Sequence, residues 1–180
     1  MLDPVKARAI RMFGTDVDGC LTDNGLYIGE VGGERVEFKR FDVLDGLACT
    51  LLRNVGIETT WVSGRQSSAT SLRGTELKVG AVLQVASTGK VAAVDELLAA
   101  RGITWDEMLF IGDDLPDIPV LRRVGISIAV ANARPEVKAV CQYTTKAAGG
   151  HGALREVVEL LLRSRNEWDA AAEHYLGAAS

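Results

Sequence analysis

The chain has 180 residues and a formal net charge of −4, with its Lys and Arg residues scattered along the sequence. The length suits one domain, residues 1–180, while the charge argues against a nucleic-acid surface and the short apolar runs argue against a membrane span. Three cysteines without metal-ligand spacing, and no secretory leader, predict reduced thiols in a cytoplasmic protein: Cys20, Cys49 and Cys141.

Strand-like apolar runs alternate with helical patterns along the chain. This alternation predicts an α/β fold with a mostly parallel central sheet flanked by helices. The predicted strands are 10–17, 57–62, 81–85, 108–111 and 127–130. The predicted helices are 45–55, 66–72, 88–101, 116–124, 135–140 and 152–165.

The segment 26–41 departs from this alternation. Its two runs, 26–30 and 34–41, are rich in β-branched and aromatic residues and flank Gly32 and Gly33, which predicts a β-hairpin. Because a two-stranded hairpin is marginal in water, its apolar side chains should pack on something. Either they pack on their own domain or they meet the same hairpin in other subunits, and we favour the second alternative.

The first predicted strand runs into Asp16-Val17-Asp18-Gly19, which places two carboxylates one residue apart at a glycine turn. Mg²⁺ is a small, oxygen-seeking ion that usually takes one or two protein carboxylates. With a metal to offset its charge, one aspartate can attack phosphorus while the other transfers protons. The same residue types are common in turns, so the motif alone is also typical of an ordinary turn.

Two further strand ends carry residues suited to a phosphoryl group, as expected where the ligands of open parallel sheets bind. Ser63, Gly64 and Arg65 offer a hydroxyl, a closely approachable backbone and a cation. Lys90 begins a helix, where its charge is unfavourable unless an aspartate and a phosphoryl group compensate it. Considered separately, the sequence Ser63-Gly64-Arg65 is also typical of an ordinary loop, and Lys90 could simply be a solvated side chain.

The fourth predicted strand is followed by Asp113, Asp114 and Asp117. Three carboxylates within five residues repel one another unless a cation lies nearby. Helix capping accounts for Asp114 but not for all three residues. Four strand ends therefore carry compatible chemistry, and together they predict a Mg²⁺-dependent phosphoryl-transfer site.

Four segments resemble, in order, the motifs of the haloacid dehalogenase-like phosphatases: Asp16-x-Asp18-Gly-x-x-Thr, Ser63, Lys90 and Gly112-Asp113-Asp114-x-x-Asp117. The chain has no room for a large cap domain, as in the capless branch of that family. Its hairpin and the segments 112–120 and 149–156 resemble the phosphatases of 3-deoxy-D-manno-octulosonate 8-phosphate (KDO 8-phosphate) and their nine-carbon relatives. The resemblance implies a Rossmann-like fold and a hydrolase of sugar phosphate monoesters.

The same resemblance implies the catalytic roles. Asp16 would be the nucleophile that forms an aspartyl-phosphate, and Asp18 would protonate the leaving oxygen and then activate water. Mg²⁺ would be bound by the Asp16 carboxylate, the Asp18 carbonyl and Asp113.

Further roles follow from the same family. Ser63 and Lys90 would hold the phosphoryl group, whereas Asp114 and Asp117 would orient Lys90 and metal-bound water. The family also implies a homotetramer assembled through the hairpin.

The segment that would read the substrate departs from the family pattern Phe-Asn-x-Arg-Asp-Gly. Asp42 stands in place of Asn and Leu44 in place of Arg, and Thr50 occupies a second family Arg position. Arginine is the natural bidentate partner of a sugar-acid carboxylate, so an altered substrate is the favoured interpretation. The alternative is that Leu44 only packs and recognition has moved elsewhere. The candidate substrate contacts are Gly64, Arg65, Arg73, Asp42, Asp45 and Gly46.

The leading hypothesis is a phosphatase of a 2-keto-3-deoxy sugar acid phosphate such as KDO 8-phosphate. Alternatives are an N-acylneuraminate or KDN 9-phosphate phosphatase, a phosphatase of an uncharged ester, and a non-catalytic tetrameric module. His151 is expected to be a loop or substrate-contact residue, because Mg²⁺ prefers oxygen. The tail 166–180 resembles segments that reach a neighbouring active site, with a frayed terminus as the alternative.

Overall fold

A computed structural model describes residues 1–177 of the chain. The strands are β1 Met12–Thr15, β2 Tyr27–Val31, β3 Glu34–Phe38, β4 Glu58–Ser63, β5 Ala81–Gln84, β6 Met108–Gly112, β7 Ile126–Ala129 and β8 Tyr143–Thr144. Six of them form one sheet in the order β5-β4-β1-β6-β7-β8, and every neighbouring pair in it is parallel. The predicted α/β fold is thereby confirmed.

The helices surround this sheet. They are α1 Pro4–Ala9, α2 Val43–Asn54, α3 Ser68–Glu76, α4 Lys90–Arg101, α5 Ile118–Leu121, α6 Pro135–Lys138, α7 Ala153–Ser164 and α8 Trp168–Gly177. The first, second, seventh and eighth pack against one another as a group, and α4 packs against α5. None of the helices within residues 1–177 is both long enough and apolar enough to span a membrane.

The hydrophobic core lies along the central strands and the helices that cover them. All residues of β1 and β6 are buried, as expected for parallel strands covered on both faces. Gly14 fits closely at their contact, because a Cβ there would lie 2.2 Å from Met108 Cε and 2.7 Å from Phe110 Cδ2, and these side chains would have to shift. On the helical side, α7 buries an apolar stripe that includes Leu154, Val158 and Leu161.

The hairpin of β2 and β3 is a separate two-stranded sheet that stands away from the core. Tyr27 pairs with Phe38 in its ladder, and the two side chains are 48% and 60% exposed. A bridge between Thr22 and Phe41 closes its base, where Phe41 stacks on Trp61 at a centroid distance of 6.1 Å. Within one chain, the apolar side chains of the hairpin are therefore not covered by their own domain.

Several elements differ from the sequence-based expectation. The predicted helix 116–124 is a 3-10 turn, Leu115–Asp117, followed by the four-residue α5, in a segment that contains two prolines. The elements α1, β8 and α8 were not predicted. Most of the tail 166–180 forms α8, which packs on α2 of the same chain, and its last three residues lie outside the described part.

Candidate active site

The carboxyl ends of β1, β4 and β6 meet at one edge of the sheet. Thr15 is paired with both Trp61 and Ile111, so the residues that follow these strands are brought to the same level. The backbone N–H of Asp16 still donates to Ile111 O at 2.9 Å, and the chain then turns at Gly19 with φ of +99°. A cavity of about 200 Å³ opens at this edge. Its lining includes Asp16, Asp18, Gly64, Arg65, Lys90, Asp113 and Asp117.

Lys90 lies at the bottom of the cavity between two carboxylates. Its Nζ donates to Asp16 Oδ1 and to Asp117 Oδ1, the latter at 2.7 Å, and the residue is only 4% exposed. Burial acts to lower the pKa of Lys90, but the charges of Asp16 and Asp117 outweigh it and raise this pKa above its usual value. The unfavourable charge at the start of α4 is therefore compensated, as the sequence led us to expect.

The acidic side chains of the site are crowded. Burial and the charge of Asp117 raise the pKa of Asp16 well above its usual value, although Lys90 opposes them. Burial, with Asp117 and Asp114, raises the pKa of Asp113 to about 7. A divalent cation would offset the repulsion between such closely spaced buried carboxylates.

Asp16 and Asp113 supply hard oxygen donors that lie within 4.8 Å of each other, so the residues present fit Mg²⁺. Glycine at position 19 keeps this space open, because a Cβ there would lie 2.2 Å from Asp113 Oδ2. Cys20 is also close, with its thiol donating to Asp113 Oδ1 over 3.7 Å. Burial and the carboxylates of Asp113, Asp16 and Asp117 raise the pKa of this thiol well above its usual value.

Asp117 and Asp114 have different contacts. Asp117 Oδ2 accepts from the backbone N–H groups of Asp113 at 3.1 Å and Asp114 at 3.3 Å, while its other oxygen accepts from Lys90. Asp117 therefore ties the loop after β6 to the lysine. The carboxylate of Asp114 accepts from the backbone N–H of Leu115 and caps the 3-10 turn, so it does not orient Lys90 directly.

Asp18 lies across the cavity and is held by two cations. Lys39 Nζ is 2.6 Å from Asp18 Oδ1, and Arg65 Nη1 is 3.8 Å from the same oxygen. Ser63 Oγ lies 3.4 Å from Asp18 Oδ2 and also donates to the carbonyl of Arg65 at 3.0 Å. Glu37 joins the two cations, with Arg65 Nη2 at 2.9 Å and Lys39 Nζ at 3.9 Å.

Sequence reasoning missed Lys39 and Glu37, which come from the base of the hairpin. The side chain of Lys39 is fully buried and also donates to Thr70 Oγ1 at 3.2 Å. Their position in the sequence could have indicated a role at the site, because both residues shortly precede the segment that resembles the family's substrate loop. Asn24 and Ser87 also line the cavity and were not anticipated.

The remaining substrate candidates do not line this cavity. Asp42 caps α2 by accepting from Leu44 N at 2.8 Å. Asp45 is 3% exposed and accepts from Arg155 N at 2.9 Å, which fixes the start of α7. Gly46 packs beside the guanidinium of Arg73, which forms an ion pair with Glu76 outside the cavity. Of the six candidates, the structure brings only Gly64 and Arg65 to the cavity.

The fold and the acidic site together define a haloacid dehalogenase-like hydrolase. A model of that family, described as haloacid dehalogenase-like hydrolase, matches residues 80–157. The chain is 37% identical over 166 residues to 3-deoxy-D-manno-octulosonate 8-phosphate phosphatase KdsC of Escherichia coli strain K12, which covers 92% of this chain and 86% of the relative. The chain therefore belongs to the KDO 8-phosphate phosphatase family.

Two solved structures of that family are similar to the chain over most of its length. The Moraxella catarrhalis KDO 8-phosphate phosphatase in complex with magnesium, phosphate and KDO has a TM-score of 0.89 and 36% identity, covering 96% of this chain and 97% of the relative. The cobalt-bound enzyme of Haemophilus influenzae has a TM-score of 0.83 and 32% identity, with coverage of 91% and 93%.

Proposed function

We propose that this protein is a Mg²⁺-dependent phosphatase of a 2-keto-3-deoxy sugar acid phosphate, with KDO 8-phosphate as the leading substrate. The observation that carries this proposal is the buried group of Asp16, Lys90 and Asp113 at the cavity floor, with Asp18 facing it. Membership of the KDO 8-phosphate phosphatase family supports the choice of substrate.

Asp16 is the nucleophile of the proposed reaction. One of its carboxylate oxygens bonds to phosphorus while the bond from phosphorus to the sugar oxygen breaks, and Asp18 gives the leaving oxygen a proton. Water then attacks the aspartyl-phosphate, its proton passes to Asp18, and the bond between phosphorus and Asp16 breaks. Asp18 loses one proton in the first step and regains one in the second, so the two steps together return the enzyme to its starting protonation state.

The surrounding residues hold this geometry. Mg²⁺ would be held by Asp16, Asp113 and the carbonyl of Asp18, and when bound it offsets the negative charge of the phosphoryl group. Lys90 keeps Asp16 oriented and places a positive charge beside the transferring group. Ser63 lies at the end of β4, where its hydroxyl can turn from the loop carbonyl to a phosphoryl oxygen.

The test is phosphate release from a panel of esters by wild type and Asp16→Asn. We expect turnover of KDO 8-phosphate that needs Mg²⁺ and falls at least about 1,000-fold in the variant, because the amide is not a nucleophile. The variant should stay folded, since Lys90 keeps its bond to Asp117. Turnover within tenfold of wild type would exclude Asp16 as the nucleophile.

The panel also separates the alternative substrates. Leu44 and Thr50 supply no guanidinium at the two family positions, and Asp42 uses its carboxylate as a helix cap. These observations favour testing N-acylneuraminate 9-phosphate, KDN 9-phosphate and neutral hexose phosphates beside KDO 8-phosphate. Absence of Mg²⁺-dependent turnover on the whole panel would support a non-catalytic module instead.

We further propose that the protein is a homotetramer assembled through the hairpin. Residues that pair in its ladder share a face, so Tyr27, Phe38 and Val36 form one apolar surface. This surface borders a cavity of about 460 Å³ between the hairpin and α3. A second copy of the chain has the matching chemistry to cover it.

A further inference from the structure

Cys20 is a buried thiol inside the acidic cluster of the active site. It follows the turn at Gly19 and is only 2% exposed. One ligand atom each from Asp16, Cys20 and Asp113 lies within 4.8 Å of the other two. The sequence predicted no metal-ligand role for the cysteines, because their spacing along the chain is wide. The fold instead places this cysteine beside an aspartate 93 residues away.

The separation of Cys20 and Asp113 suits a single ion with mixed ligands. Bonds of about 2.0 Å to oxygen and about 2.3 Å to sulfur place tetrahedral ligands about 3.5 Å apart. The separation of 3.7 Å between Cys20 Sγ and Asp113 Oδ1 is close to that value. Carboxylate oxygens suit Mg²⁺, whereas a thiolate selects softer ions such as Zn²⁺ and Cd²⁺.

We propose that Cys20 is an additional metal ligand, so that the site of this chain binds thiophilic divalent ions through sulfur as well as oxygen. On coordination, a bond forms between the metal and sulfur and the thiol proton passes to solvent. The inference rests on the proposed magnesium site and adds one ligand to it. The similar enzyme of Haemophilus influenzae is known in a cobalt-bound form.

The other two cysteines provide matched controls. Cys49 is as buried as Cys20, and Cys141 is partly exposed. Among residues 1–177, neither belongs to a group of side chains placed to hold an ion. A signal that depends on Cys20 alone would therefore separate the active-site thiol from adventitious binding to thiols.

The experiment titrates metal-free protein, kept reduced with a phosphine, with Cd²⁺ while the thiolate-to-metal charge-transfer absorption in the ultraviolet is recorded. Wild type, Cys49→Ala and Cys141→Ser should each show the band, saturating at one equivalent. Cys20→Ser should lose it, and its Cd²⁺ dissociation constant should rise at least about tenfold. Mg²⁺ dissociation constants, measured by calorimetry, should change far less, because Mg²⁺ does not use the sulfur.

Absence of the band in wild type, or its persistence in Cys20→Ser, would overturn the inference. Cys20→Ala serves as the second variant if the serine substitution impairs folding, which circular dichroism reports. Phosphate release with Mg²⁺ is measured on the same wild-type sample. Normal Mg²⁺-dependent turnover without a band would reject the thiolate ligand alone, whereas a band without turnover would reject the proposed function alone.

Discussion

At the scale of single residues, Lys39 is the cation that connects the hairpin to Asp18 of the active site. Its Nζ is 2.6 Å from Asp18 and its side chain has no exposed surface. The side chain of Asp18 is 24% exposed, but its partner is buried, so this short contact limits the orientations of the Asp18 carboxyl group. Asp18 must face the leaving oxygen in the proposed reaction, so Lys39 is a positioning residue.

We expect Lys39→Met to lower kcat by about 10- to 100-fold, because Asp18 loses the partner that orients it. KM should change much less, and Lys39→Arg should restore part of kcat. Steady-state kinetics on KDO 8-phosphate measures both constants. Lys146→Met, at an exposed position, is the matched control and should behave as wild type. An equal loss of kcat in Lys39→Met and Lys39→Arg, or a change in KM rather than in kcat, would contradict a positioning role.

Asp45 is another buried carboxylate, and its hydrogen bond to Arg155 N connects two helices. It lies on α2 and accepts a hydrogen bond from the first turn of α7, so it joins two helices that pack on each other. Burial raises the pKa of Asp45 to about 6, despite the hydrogen bond from Arg155. The folded state therefore holds the proton more strongly than the unfolded chain does.

This shift gives a pH dependence with a defined sign. A raised folded-state pKa contributes stability below the unfolded value of 3.8, and this contribution is lost as pH rises through about 6. Asparagine imitates the protonated acid, so Asp45→Asn should gain stability relative to wild type from pH 4 to pH 7. The gain should not exceed about 3 kcal/mol. Urea unfolding at each pH measures it, and a difference that stays constant with pH would contradict the assignment.

At the scale of elements, the two faces of the hairpin differ: one is polar and contacts the active site, and the other is apolar and exposed. Residues at its base, Glu37 and Lys39, enter the network around Asp18. Tyr27 and Phe38 lie on the other face of the ladder and stay exposed in the single chain. Assembly through the apolar face would therefore fix the polar residues over the active site.

The double substitution Tyr27→Ser and Phe38→Ser should convert the proposed tetramer into smaller species, because it removes the apolar area that a partner would cover. Light scattering after size exclusion measures the mass. Val5→Ser, which changes a side chain that is 76% exposed on α1, is the control and should keep the wild-type mass. A wild-type protein that is already monomeric, or a double variant of unchanged mass, would reject the hairpin interface.

The C-terminal helix α8 packs on two helices of its own chain, α2 and α7. The guanidinium groups of Arg155 and Arg163 lie over the ring of Trp168, at 5.2 and 4.8 Å from its centroid. These cation–π contacts attach α8 to α7, and the helix continues across α2. Up to residue 177, the tail is thus an ordered part of its own subunit.

At the scale of the whole molecule, the parallel sheet concentrates negative charge at one edge. Asp16, Asp113 and Asp117 are 5%, 6% and 1% exposed, and Lys90 balances only part of their charge. Without a further cation, this repulsion opposes folding. A divalent ion that binds the native site should therefore stabilise the entire fold.

We expect saturating Mg²⁺ to raise the Tm of wild type by about 5–10 °C, as a ligand present at 100 times its Kd does for a domain of this size. Asp113→Asn should lose most of this rise. Scanning calorimetry measures Tm, with NaCl of equal ionic strength as the control for screening. An equal rise with NaCl, or an undiminished rise in Asp113→Asn, would contradict a specific site.

The parts of the molecule that the sequence predicts are those governed by local pattern. Alternating periods indicated the parallel sheet, and Asp16, Lys90 and Asp113 could be assigned to one edge because parallel strands end together. The helix 116–124 was predicted too long, because its apolar period outweighed Pro116 and Pro119. The helix α8 was missed, since its contacts with Arg155 and Arg163 come from another element.

The sequence by itself determined the fold class and the position of Asp16 at the end of the first strand, because residue type and position after a strand are local properties. Only the tertiary structure decided that Lys39 reaches Asp18, that Asp45 holds α7 and that Cys20 lies beside Asp113. These partners are 21 to 110 residues apart. The physical reason is that a polar side chain takes the partner with which it becomes buried, and the packing of distant elements selects that partner.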